Sequence, residues 1–151
     1  MTAMQPPKVL PPHYFIFSVL LMIAIAMLLG GELLGTDVVY LGAVPMLVGV
    51  VIAAIGSRQF SIAGTNIIPL SESTALVTNG IFKYSRNPMY TGMILFLAGL
   101  ALLLDNAWNW VVVVGFTILI RQWFVLREEI LMEQTFGAGY TAYQARVRRW
   151  V

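Results

Sequence analysis

The strongest constraint on this chain is a series of long apolar runs with almost no charge inside them. Tyr14–Leu29 is closed by Gly30-Gly31, and Val38–Ile55 is interrupted only by Pro45. Met89–Leu104 follows, then a run from Trp108 to about Leu126 with Arg121 in its last turns. About 20 helical residues cross the hydrocarbon core of a bilayer, and these runs approach that length with their flanks. They are apolar on all sides rather than alternating, which excludes membrane β-barrel strands. Of the 151 residues, 59% are hydrophobic and 11% charged, so one water-soluble core cannot hide the apolar surface. The expected fold is all-α: an integral membrane bundle of four transmembrane helices with a C-terminal amphipathic helix. Asp105-Asn106-Ala107 is expected to join the third and fourth helices into a tight hairpin.

Charge sets the expected orientation. The nine Lys and Arg residues are Lys8 in the N-terminal tail, Arg58, Lys83 and Arg86 after the second run, and Arg121, Arg127, Arg146, Arg148 and Arg149. The other connections hold Glu32, Asp37 and Asp105. Cytoplasmic loops are enriched in Lys and Arg, so both termini and the central loop are expected in the cytoplasm. Trp108 and Trp110 suit the outer interface, Trp123 and Trp150 the inner one. No small-residue cleavage site follows the first run, so it reads as a retained helix. The chain reads as a single domain, 1–151. Within it, 1–55 holds two transmembrane helices, 56–88 a cytoplasmic loop, 89–126 the hairpin and 127–151 a cytoplasmic C-terminal segment.

Several function classes drop out. There is no cysteine and the one histidine, His13, sits beside Pro11 and Pro12. Disulfides, thiolate chemistry, haem, iron–sulfur and structural zinc sites are therefore not expected, nor any metal. The net charge is +2, without a basic stripe on a soluble fold, which argues against a nucleic-acid partner. Past Gly137-Ala138-Gly139, the residues Tyr140, Tyr143, Val147 and Trp150 recur at helical spacing. That stripe fits either a helix lying on the membrane surface or one capping the bundle.

Two polar clusters carry chemical potential. Arg127, Glu128, Glu129 and Glu133 follow directly on the fourth run, where an ordinary polar helix end would snorkel into water. Tyr84-Ser85-Arg86-Asn87-Pro88-Met89-Tyr90 opens the third, where the plain reading is a positive-inside anchor with an aromatic belt. Pro88 suits a first helical turn, and a helix N-terminus attracts anions. Because a short loop makes the third and fourth helices antiparallel neighbours, the two clusters converge at one membrane face.

The stretch Leu76-Val77-Thr78-Asn79-Gly80-Ile81-Phe82-Lys83-Tyr84-Ser85-Arg86-Asn87-Pro88-Met89-Tyr90-Thr91-Gly92 resembles the signature of the isoprenylcysteine carboxyl methyltransferase family. Glu128-Glu129, Leu131-Met132, Phe136-Gly137, Tyr140 and Tyr143 resemble its C-terminal signature. Ala63-Gly64-Thr65-Asn66 and Pro69 are similar to bacterial members, and a bacterial inner membrane is the implied location. The resemblance implies S-adenosylmethionine as cofactor, bound without a Rossmann fold. It implies a membrane-associated, amphiphilic or lipid-like methyl acceptor, with carboxyl O-methylation of an isoprenylcysteine-like substrate as the expected reaction. Cofactor contacts carried over position by position are Thr74, Ala75, Leu76 and Val77, then Phe82, then Asn87, Pro88, Met89 and Tyr90, and Glu128. Arg86, Arg127 and Glu129 would lie beside the acceptor: an arginine to orient a carboxylate, or Glu129 to take a proton from an amine or thiol. The chain departs from the pattern at Asn87 (often histidine), Phe82 (tyrosine), Thr74 and Arg148 (proline). Competing expectations are a phospholipid or other lipid N-methyltransferase, an NADPH-dependent membrane reductase of the sterol type, and a non-enzymatic adaptor or small transporter.

Overall fold

The computed structural model describes residues 9–32, 39–71 and 73–151. Lys8 and Asp37, used above for orientation, lie outside them. The described residues form helices and no strand. α1 is Pro11–Leu28, and α2 is Ala43–Ile62, preceded by a 3-10 turn at Tyr40–Gly42. α3 is Pro88–Leu103 and α4 is Asn109–Ile120. A π-helical turn, Arg121–Val125, joins α4 to α5, Leu126–Phe136, and α6 is Ala138–Arg146. Gly137, at φ 50°, breaks α5 from α6 in a conformation that a Cβ disfavours.

Three helical stretches are long and apolar enough to cross a membrane: Pro11–Leu28, Tyr40–Ile62 and Asn109–Phe136, of 18, 23 and 28 residues. The chain is an integral membrane protein. α3 is equally apolar, but its 16 residues span only about 24 Å at ~1.5 Å per residue. α2 runs on to Ile62, past the end of its apolar run at Ile55. Pro45 does not interrupt it, because Pro45 falls in the first turn, where its missing N–H breaks no bond.

The closest helix pair is α2 with α3, not the hairpin partners α3 and α4. Gly42 of the 3-10 turn and Gly49 and Gly56 of α2 recur every seventh residue and face Gly99, Gly92 and Met89 of α3. A Cβ added at Gly92 would collide with the Gly49 carbonyl and come within 3.0 Å of the Ala53 Cβ. Without a hydrophobic drive between helices in lipid, such close backbone approach supplies the packing contact. A core of Met22, Leu97, Phe116, Ile120 and Phe124 then joins α1, α3, α4 and the π turn. Phe15 packs edge-on against Phe96 and Phe116.

The α3–α4 connection is lashed to the end of α1. The Asn106 side chain donates to the Leu29 carbonyl at 2.8 Å, and the Ala107 N–H to the Gly31 carbonyl at 3.1 Å. At the opposite end of α3, the segment between α2 and α3 folds back over the helix ends. The Gln59 amide, from the last turns of α2, holds the turn before the third helix. Its nitrogen donates to the Asn79 carbonyl at 3.0 Å and its oxygen accepts from the Ile81 N–H at 3.3 Å. Gly80, at φ 58°, makes that turn.

The α2–α3 seam leaves no room for side chains. Gly92→Leu is expected to lower stability by about 1–3 kcal/mol, the usual cost of overpacking. Gly115→Ala, which meets nothing within 4 Å, should change it by no more than about 1 kcal/mol, in the stabilising direction. Thermal unfolding of the detergent-solubilised protein compares the two; equal melting temperatures would show that the seam does not set the packing.

Candidate active site

The start of α3 and the start of α5 meet at one end of the bundle. The Tyr90 hydroxyl, from the first turn of α3, donates to Glu128 Oε1 of α5 at 2.8 Å. The π turn helps to aim the acids. Its extra residue resets the helical register, so the inward face of Val113, Phe116, Ile120 and Phe124 continues into Glu128, Glu129 and Met132.

Glu129 is 8% exposed and both its oxygens are engaged. Arg86 approaches Oε1 at 3.1 Å. Arg149 grips the same carboxylate in a fork, Nε to Oε1 at 2.9 Å and the terminal nitrogen to Oε2 at 2.7 Å. Burying a carboxylate is tolerated only with such pairing. The Glu129 hydrogen bond in turn raises the Arg149 pKa, so this guanidinium stays charged. Two cations thus face one anion, and the buried Arg86 Nε–H has no acceptor among the described residues.

Residues 147–151 form a strap across the start of α3. The Arg148 carbonyl accepts from the Arg86 N–H at 3.0 Å, and the Arg149 carbonyl from the Asn87 side chain at 3.0 Å. The Ser85 hydroxyl accepts from the Asn87 N–H at 3.1 Å. These contacts engage the backbone N–H groups of Arg86 and Asn87, just ahead of the first turn of α3. Trp150 packs on the transmembrane core.

α6 lies on the same end. Tyr140 and Tyr143 are buried with Phe82, and the Tyr143 hydroxyl donates to the Phe82 carbonyl at 2.6 Å. Phe60 of α2 meets the Phe82 ring edge-on at 5.2 Å. Burial pushes the Tyr140 hydroxyl up to about 12 and raises that of Tyr143 as well, so both remain protonated donors at physiological pH.

Together these elements line a partly open cavity of about 110 Å³. Among the sequence-predicted residues, Ala75, Leu76, Val77, Phe82, Arg86, Asn87, Pro88, Met89, Tyr90, Glu128 and Glu129 line it. Thr74 does not: its N–H donates to the Thr65 hydroxyl at 3.1 Å and its own hydroxyl to the Gly64 carbonyl at 3.3 Å, which ties the loop. Arg127 is exposed and points away from the lining. Sequence reasoning missed the Ile67–Leu70 wall, Met132, and the part Arg149 plays. Leu70 is buried at φ 58°, a strained backbone position of the kind found at ligand clamps. Among the described residues, no group of His, Cys, Asp and Glu side chains is arranged to hold a metal.

A helical membrane bundle with a mainly apolar cavity at one end, lined by a few charged and polar groups, defines the class: an integral membrane protein with a candidate small-molecule site. The sequence model of the phospholipid methyltransferase family matches residues 38–139, so the chain belongs to that family of methyltransferases. A probable protein-S-isoprenylcysteine O-methyltransferase of Oryza sativa subsp. indica is 28% identical over 113 residues, covering 72% of this chain and 58% of the relative. Protein-S-isoprenylcysteine O-methyltransferase A of Arabidopsis thaliana is 31% identical over 111 residues, 70% of this chain and 55% of the relative. An uncharacterized protein of Haemophilus influenzae is 38% identical over 63 residues, 42% of this chain and all of that protein. The chain spans a little over half the length of the plant proteins. No solved structure matches it. The resemblance read from the two motifs is borne out at the level of the family.

Tyr143→Phe would leave the Phe82 carbonyl buried and unpaired, at a cost of about 1–3 kcal/mol. The expected result is a lower melting temperature with helical circular dichroism retained below it. An unchanged melting temperature would mean that α6 does not hold the loop in this way.

Proposed function

We propose that this chain is an S-adenosylmethionine-dependent methyltransferase that esterifies the carboxylate of a membrane-associated, isoprenylcysteine-like amphiphile. The observation that carries the reading is the state of Glu129. Both Glu129 oxygens are already engaged by guanidiniums, so neither is free to act as a base toward an acceptor. An amine or thiol acceptor has to lose a proton, which calls for a base, whereas a carboxylate does not. The Arg86 guanidinium at the cavity wall also suits a carboxylate.

The lining fits the cofactor by its chemistry. Leu76, Val77, Phe82, Met89 and Met132 offer apolar and aromatic surface for a purine, and Glu128 offers negative charge for a cationic sulfur. Ala75, Asn87, Pro88 and Tyr90 complete the proposed contacts, with Thr74 holding the loop behind them. When bound, S-adenosylmethionine would supply an electrophilic methyl group, whose transfer to a carboxylate oxygen releases the neutral thioether and requires no proton transfer. The protein's work is alignment, which is worth up to about 7–11 kcal/mol. Tyr90 holds Glu128 in place, and Arg86 turns the acceptor carboxylate toward the methyl group.

The proposed arrangement is a single domain of four spans with α3 as the short one. Both termini and the α2–α3 loop lie on the cytoplasmic side of a bacterial inner membrane, and residues 127–151 close the site there. The positive-inside distribution of Lys and Arg supports this. Ile62, Ile67 and Ile68 are exposed beside the cavity and suit a lipid-like acceptor at the interface.

The purified protein, incubated with tritiated S-adenosylmethionine, should label N-acetyl-S-farnesylcysteine, with the label released as methanol by alkali. Alkali-stable label in phosphatidylethanolamine vesicles would replace this reading with lipid N-methylation. Glu128→Gln should weaken S-adenosylmethionine binding at least tenfold, about 1.4 kcal/mol. It should weaken S-adenosylhomocysteine less, because that ligand lacks the positive sulfur; calorimetry in detergent reads both. Equal losses would remove the charge role given to Glu128.

A further inference from the structure

We propose that Arg149 is a positioning residue for the reaction: it holds Glu129 from the strap side and thereby fixes the Arg86 guanidinium at the cavity wall. The inference rests on the carboxylate-esterification reading and adds to it a residue from a separate segment.

The geometry is that of a shared counter-ion. Glu129 Oε1 lies between Arg86, at 3.1 Å, and Arg149 Nε, at 2.9 Å, while Oε2 belongs to Arg149 at 2.7 Å. Arg149 therefore makes the shorter, two-pronged contact, and Arg86 makes a single longer one. A fork of two parallel bonds fixes the carboxylate plane, which a single contact does not. With the plane fixed, Arg86 has a defined place to rest one terminal nitrogen. Its Nε–H then remains buried without an acceptor among the described residues. That N–H is the donor available to an incoming carboxylate.

The strap acts on the same residue by a second route. The Arg148 carbonyl accepts the Arg86 N–H at 3.0 Å, and the Arg149 carbonyl accepts from Asn87. Arg86 is thus held at its backbone by the strap and at its head by Glu129, which the strap also holds. Neither contact requires Arg149 to touch the cofactor or the acceptor, and Arg149 does not line the cavity.

The test uses the full chain in detergent, with Arg149→Ala and Arg149→Lys. The first readout is independent of turnover: modification of Arg86 by phenylglyoxal, mapped by mass spectrometry. Arg149→Ala should increase it several-fold, and Arg149→Lys, which keeps the charge but loses the fork, should restore part of the protection. Unchanged modification of Arg86 overturns the proposal. The second readout is the split between ligands. Arg149→Ala should raise KM for N-acetyl-S-farnesylcysteine at least tenfold while the S-adenosylhomocysteine Kd stays within about twofold. Parallel losses of both, without recovery in Arg149→Lys, would mean a general structural role and overturn it. Should the wild-type protein label no carboxylate while Arg86 protection still depends on Arg149, the positioning stands and the esterification reading falls.

Discussion

The site depends on one buried carboxylate. Glu129 sits on α5, Arg86 just ahead of α3, and Arg149 in the strap, so a single side chain joins segments far apart in sequence. A charge with so little access to water is stable only if its partners stay in place. The requirement runs both ways: the partners satisfy both oxygens of the buried acid, and the acid keeps the segments together. The Tyr90–Glu128 bond one residue away works beside it, between the same two helices.

What makes the convergence feasible is the seam between α2 and α3. Glycine on both helices lets the backbones approach closely, so the loop that leaves α2 and returns to α3 closes over its own starting point. The loop then has to satisfy its backbone groups locally. Gln59, Thr65 and Thr74 do so from within the segment or from the adjoining turn of α2. The Ile67–Leu70 side chains are thereby left to form a wall of the cavity.

Much of this was legible in the sequence, and the reasons for the rest are physical. Apolar runs report membrane spans directly, and the order of the two polar motifs brought Tyr90, Asn87, Arg86, Glu128 and Glu129 to one end of the bundle. The α2–α3 pairing was not read, because the seven-residue glycine repeat is invisible to hydropathy. The π turn was not read either, since Arg121–Val125 looks like ordinary helix until its register is compared with Glu128 and Met132. Arg127 and Arg149 could not be ranked by charge alone. Both are arginines near the acids, and only the path of the strap shows which one turns inward. Tyr140 and Tyr143 carried a stripe that fitted a lipid surface or a bundle face equally well. Their burial against Phe82 depends on the loop, whose course no periodicity describes.

The strap's hold on Arg86 has a consequence for how such a wall tolerates substitution. At position 148 the contribution comes from the main-chain oxygen, which accepts the Arg86 N–H. Every amino acid supplies that oxygen, proline included, since proline lacks only the donor. An arginine at 148, where the family's motif carries proline, therefore preserves the interaction while changing the side chain that projects outward. The wall is interchangeable in side-chain identity at this position and invariant in backbone function. Sequence divergence here alters the outward surface and leaves the backbone hold on Arg86 as it was.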